Sequence, residues 1–103
     1  MRDTNHYTII YSLGYRKLMF LKEGGSYSIL SEDKSPDNPD VMAYTEVIVP
    51  ADALEEAISV PSSDEEATVG EKMQLLFGNY DGFDNFIKFC DENNIETMTL
   101  FWD

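Results

Sequence analysis

Tyr7 to Leu13 alternates Tyr7, Ile9, Tyr11 and Leu13 with Thr8, Ile10 and Ser12, the two-residue period of a strand whose Tyr7/Ile9/Tyr11/Leu13 side is the favoured core face. After a turn at Gly14, Tyr15 to Leu21 puts Leu18 and Phe20 on one side and Tyr15, Lys17 and Met19 on the other. Glu23-Gly24-Gly25-Ser26 supplies residues able to take positive φ in a tight hairpin, so that Ser26 to Leu30 is the third strand of a meander. Ser31 to Asp40, reading SEDKSPDNPD, has turn formers and charge and no apolar residue, the composition of an exposed loop. Val41 to Val49 resumes the alternation with apolar residues on both sides, and predicts a fourth strand packed on both faces.

The period then changes. Pro50 stops the strand and suits the first turn of a helix, and Ala53, Leu54, Ala57 and Ile58 follow at helical spacing, which predicts a short helix over 50–59. Ser63 with Glu66 three residues later has the form of a capping box, opening a second helix that runs to about Phe77 and ends at Gly78. Its apolar stripe is Val69, Met73, Leu76 and Phe77, interrupted by Gly70 at a cost of about 1 kcal/mol relative to alanine. Phe83, Phe86, Ile87 and Cys90 lie at i, i+3, i+4 and i+7 and define a third helix, begun by Asp81 or Gly82 and closed by Asn93-Asn94. Ile95 to Trp102 alternates again as a closing strand.

Four strands, three helices and one strand in that order predict an α+β domain: a mostly antiparallel sheet of about five strands with helices packed on one face. The last strand, following a helix directly, is expected to return as a central or parallel member. With 43% hydrophobic and 13% aromatic residues, the 103-residue chain has the means to build one core, and a single domain over 1–103 is expected. Met1 to His6 is polar, and the apolar stretch beyond it is broken by Ser12, Gly14, Arg16 and Lys17, so neither a secretory leader nor a membrane span is read here. The expectation is a soluble cytoplasmic protein without membrane contact.

Candidate chemistry is sparse. One cysteine excludes an internal disulfide or a multi-cysteine zinc site, and one histidine excludes His-rich metal binding, so no cofactor and no metal is expected. His6 sits among polar residues without a motif to make it a general base, and Cys90 falls in the apolar stripe of the third helix as a small hydrophobe. Gly24-Gly25 joins two strands and so lacks the helix N-terminus that receives phosphate. Asn79 to Asn85 carries a fragment of a calcium-loop pattern without its spacing, and reads better as a helix-capping turn. Tyr7, Tyr11, Tyr15, Tyr27 and Tyr44 fall in the sheet, where they serve either as ordinary strand residues or as anchors for a protein partner. No catalytic set emerges, and the chain is expected not to be an enzyme.

Charge changes this picture. Twenty Asp and Glu face seven Lys and Arg, a net charge of −13. Residues 1–31 sum to +2 (Arg2, Arg16, Lys17 and Lys22 against Asp3 and Glu23), and residues 32–103 to −15 (three lysines against 18 acids). Asp52, Glu55 and Glu56 recur at i, i+3 and i+4, Asp64, Glu65, Glu66 and Glu71 load the start of the second helix, and Asp84, Asp91 and Glu92 lie opposite the apolar stripe of the third. Acids in a first helical turn complement the helix dipole, which accounts for Asp52 and Asp64 to Glu66 but not for the total. Unbalanced charge destabilises a compact state, and rows of carboxylates on a folded domain suit a basic patch that otherwise grips nucleic acid. In composition, with no shared motif, the chain resembles the small acidic inhibitors called DNA mimics, which include anti-restriction and anti-CRISPR proteins of phages and mobile elements. The resemblance implies a non-enzymatic inhibitor that binds a basic, nucleic-acid-handling protein through these ten carboxylates and does not bind nucleic acid itself. An immunity protein neutralising a basic nuclease toxin, and an acidic adaptor or subunit domain without inhibitory role, fit the same charge.

Overall fold

The structure, a computed structural model, describes residues 6–35, 37, 42–58 and 66–102, except for the side chains of 66–68 and 102. Its elements are β1 (Thr8–Leu13), β2 (Arg16–Glu23), β3 (Ser26–Lys34), β4 (Met42–Pro50), α1 (Ala51–Ala57), α2 (Glu66–Phe77), α3 (Gly82–Glu92) and β5 (Met98–Trp102). The strands form one sheet in the order β1-β2-β3-β4-β5, with each neighbouring pair antiparallel. The α+β architecture is thus the one the alternation predicts, but β5 is neither central nor parallel. It lies antiparallel against β4 at the edge, with Ile48 opposite Met98 and Tyr44 opposite Trp102.

Both predicted hairpin turns are present. Gly14 (φ 59°) and Gly24 (φ 62°) each stand first in a two-residue loop, between the Leu13/Arg16 and Glu23/Ser26 pairs, while the second loop residue has no positive φ. A positive φ at the first central position only is the pattern of a type II′ turn, whose twist matches that of the strands it joins.

The helix side of the sheet carries the main core. Leu18, Phe20, Tyr27, Ile29, Val47 and Val49 meet Leu54 and Ile58 from α1 and its C-cap, Val69, Met73 and Phe77 from α2, and Phe83, Phe86 and Cys90 from α3. Phe77 packs edge-on to Phe86 at 5.2 Å and to Phe89 at 5.5 Å between ring centres, locking α2 to α3. Gly70 also gains a reason here: a Cβ at that position would lie 3.1 Å from the Phe20 ring, so glycine lets α2 approach the sheet closely at the expense of helix propensity. The opposite sheet face carries a smaller cluster of Met19, Leu30 and Tyr44, flanked by Tyr7 and Met42. β4 therefore packs on both faces, as its composition requires.

Several boundaries and faces differ from the sequence expectation. β3 continues four residues into the expected loop, because Ser31, Glu32 and Asp33 are paired on both sides, with Leu18 to Arg16 of β2 and Thr45 to Ala43 of β4, and Lys34 pairs with Met42 of β4 while its N–H donates to the Tyr15 carbonyl. Central pairing outweighs the weak strand propensity of these polar residues. In β1 the register shifts between Ile9 and Tyr11, a bulge that turns Ile10 into the core and leaves Ile9 52% and Leu13 66% exposed, against the expected face. Leu76 and Ile87 lie at the exposed margins of their helical stripes. β5 begins at Met98, and Ile95 instead plugs the core from the preceding connection. Asp81 occupies the N-cap of α3 without a side-chain cap bond, whereas Asn93 and Asn94 close the helix as expected, Asn94 with φ 56°. The expected capping residue Ser63, the strand residue Val41 and most of the loop over 36–41 lie outside the described residues.

Candidate protein-binding surface

α1 sorts its carboxylates by the helical period. Ala51, Leu54 and Ile58 are buried, and Glu55, four residues after Ala51 and three before Ile58, shares that inward stripe. It is 3% exposed. The Tyr27 hydroxyl donates to Glu55 Oε2 at 2.8 Å and the Lys22 ammonium lies 3.2 Å from the same oxygen, with Lys22 also 5.5 Å from the centre of the Tyr27 ring. Glu55 therefore ties α1 to β2 and β3 and is withdrawn from any outward surface, a correction to its expected place among the partner-binding acids. Asp52 and Glu56 point outward and are exposed, and Asp52 Oδ1 accepts the Ala53 N–H at 3.1 Å in the first helical turn.

On α3 the expected division holds. Phe83, Phe86 and Cys90 face inward, and Asp84, Asp91 and Glu92 are exposed with Lys88 between them. Burial pushes the Cys90 thiol up to about 11, the state of an unreactive core group. Glu71 is exposed on α2. Asp64 and Glu65 lie outside the described residues, as does the side chain of Glu66. Of the ten acids singled out by pattern, six are thus seen at the surface, on three different helices, and one is internal.

Basic side chains are drawn inward as well. Arg16 Nε donates to Asp33 at 2.7 Å, its Nη1 donates to the Tyr80 carbonyl at 3.0 Å, and the guanidinium lies 4.6 Å from the centre of the Tyr80 ring. The Asp33 hydrogen bond holds the Arg16 pKa above its ordinary value, over the opposing effect of partial burial. The segment with a calcium-loop fragment is thus the turn that hands Tyr80 to Arg16. Among the described residues no group of three or more His, Cys, Asp or Glu side chains converges as a metal site requires.

Two further buried acids escape a reading based on charge runs. Glu46 lies on the small-cluster face of β4, where Ser28 Oγ donates to its Oε2 and the Tyr7 hydroxyl donates to the same atom at 3.3 Å. Glu32, one of the residues expected in a loop, is buried beside Tyr44. Desolvation raises the Tyr44 pKa first, with the Glu32 charge and hydrogen bond adding to it. For Glu46 the only signal available was its place beside Val47 in an alternating strand; Glu32, between Ser31 and Asp33, gives none and is buried because β3 lies between β2 and β4. Of the five sheet tyrosines considered as anchors, Tyr27 and Tyr44 are buried, Tyr7 and Tyr11 are half-buried, and Tyr15 alone is exposed.

His6 is exposed before β1. Among the described residues no helix is long and apolar enough to cross a membrane. Comparison of the chain with protein-family models, with curated proteins and with solved structures finds no match.

Proposed function

We propose that this chain is a non-enzymatic acidic inhibitor that binds the basic surface of a nucleic-acid-handling protein and so takes the place of a phosphate backbone. One observation carries the reading: Asp52, Glu56, Glu71, Asp84, Asp91 and Glu92 are solvent-exposed on three helices, while Arg16 and Lys22 are turned into ion pairs with Asp33 and Glu55. Inward cations leave the described helix faces dominated by carboxylates, in a chain of net charge −13. A field of that sign steers a cationic groove toward the domain and speeds encounter more than it deepens the final affinity. A buried free cysteine suits a reducing compartment, which supports an intracellular encounter.

The test begins with affinity capture of the partner from the native host. Association of the purified pair is expected to slow at least tenfold as salt rises from about 50 to about 500 mM. Replacing Asp52, Glu56, Asp84 and Asp91 together by their amides produces a comparable slowing at low salt. The captured protein loses nucleic-acid binding when the chain is present, and the chain alone does not shift bare duplex DNA. An affinity indifferent to salt, or a direct shift of duplex, overturns the reading.

A further inference from the structure

The two edges of the sheet are treated differently. β1 carries a bulge between Ile9 and Tyr11 and has α2 packed along it, both common means of preventing a second chain from adding to an edge. β5 has none of the usual guards: Met98-Thr99-Leu100-Phe101-Trp102 contains no lysine, no proline and no charge, its register with β4 is unbroken, and Met98 and Phe101 are 59% and 78% exposed. β4 lies on one side of β5. On the other, among the described residues, no backbone hydrogen bond reaches 98–102. In an antiparallel ladder alternate residues direct their N–H and C=O groups away from the paired neighbour, so this edge is a template for one more strand.

The surroundings select the occupant. A hollow on the helix side is lined by Asp84, Ile87, Lys88, Asp91, Ile95 and Thr97. Thr97 also borders a second hollow toward the β2–β3 hairpin, where Glu96 and Met98 meet Ile48, Val49 and Pro50. The first residues of the β5 segment therefore run between an apolar floor and three exposed acids, with Lys88 placed at i+4 from Asp84 and i−3 from Asp91, where it offsets part of their charge. Asp84 and Asp91 stand two helical turns apart, about 10 Å along the axis, within reach of two long basic side chains on same-face positions of an extended strand, which repeat about every 7 Å. A second copy of this chain is disfavoured, because pairing β5 with itself brings two bodies of charge −13 together with their Asp84, Asp91 and Glu96 side by side.

We infer that β5 is a docking edge for an extended, Lys- or Arg-bearing segment of a protein partner, which adds as a sixth strand beside Met98–Trp102 and sets its basic side chains against Asp84, Asp91 and Glu96. This rests on the reading that the partner is basic, and adds to it a place and a backbone mode. Affinity comes from main-chain hydrogen bonds and from apolar contact with Met98 and Phe101, and selectivity from the acids.

The test titrates the full, isotope-labelled chain with three synthetic eight-residue peptides at low salt: alternating Lys-Thr, alternating Glu-Thr, and alternating Lys-Thr methylated at every backbone nitrogen, which has the charge of the first but cannot supply the ladder N–H groups. The Lys-Thr peptide is expected to move amide resonances of 97–102 and of the outer side of α3 and to slow hydrogen exchange in β5. The N-methylated peptide binds at least fivefold more weakly and the Glu-Thr peptide does not bind. Asp84→Asn with Asp91→Asn lowers affinity for the Lys-Thr peptide about fivefold, and Asp52→Asn with Glu56→Asn on α1 changes it less than twofold. Equal binding of the two lysine peptides, perturbations centred on α1 or α2, or failure of the Lys-Thr peptide to bind each overturns the docking edge. The basic-partner reading is judged separately, by the salt dependence of the captured complex.

Discussion

Carboxylates of one residue type serve opposite purposes in this chain, and α1 separates them within five residues. Glu55 accepts from Tyr27 and pairs with Lys22 at 3% exposure, whereas Asp52 and Glu56 stand in solvent. Glu55→Ala removes the carboxylate that Tyr27 and Lys22 share at a buried site, and is expected to lower stability by about 2–3 kcal/mol in urea unfolding. Asp52→Lys and Glu56→Lys are expected to shift stability by less than about 0.5 kcal/mol, since neither has a buried role. If Glu55→Ala unfolds at the same urea concentration as the parent, the internal role assigned to Glu55 is wrong. Tyr27→Phe removes one partner of the same carboxylate and should cost about 1 kcal/mol.

Elements were legible wherever burial follows a regular period and obscure wherever pairing decides. The meander, both hairpin glycines and α3 follow from alternation, turn chemistry and the Phe83/Phe86/Cys90 spacing. Two glycines test the turns that join elements. Gly14 has φ 59° with open space around it, so Gly14→Ala costs only the left-handed backbone penalty, about 1 kcal/mol. Gly82 begins α3 against α2, and a Cβ there would collide with the Phe77 carbonyl oxygen and come within 3.0 Å of Leu18. Gly82→Ala is therefore expected to destabilise by more than about 3 kcal/mol, because backbone and core must both move; equal midpoints for the two variants in thermal melts would contradict this. β3 shows the opposite limit of sequence reading: nothing in Ser-Glu-Asp-Lys announces a strand, and only the two neighbours make it one. The candidate surface was legible to the same extent. Helical periodicity places Asp84, Asp91 and Glu92 outside, but the inward turn of Glu55 depends on Lys22 and Tyr27 of β2 and β3.

At the scale of the whole molecule, the net charge of −13 sits on a domain whose core spans one sheet and three helices. Mutual repulsion of the exposed acids opposes compaction, and mobile ions relieve it. Raising sodium chloride from about 20 to about 500 mM is therefore expected to raise the urea midpoint of unfolding, whereas a domain held mainly by surface ion pairs would lose stability under the same change. The Arg16–Asp33 and Lys22–Glu55 pairs, being partly or deeply shielded, resist the salt. A fall in midpoint would show that attraction outweighs repulsion in the folded state, and the surplus charge would then need a different account.

The sheet order carries a kinetic corollary. Strands β1 to β4 each follow their neighbour directly in the chain, but β5 reaches β4 only after all of 51–97 has intervened. Short hairpins close in microseconds, while so large a loop must form against a greater loss of chain entropy. The zipper therefore closes at its far tooth last and opens there first. Native-state exchange should find amides of β5 released in partial openings that leave β2 and β3 intact, so the strand nearest solvent is also the one that most readily trades partners.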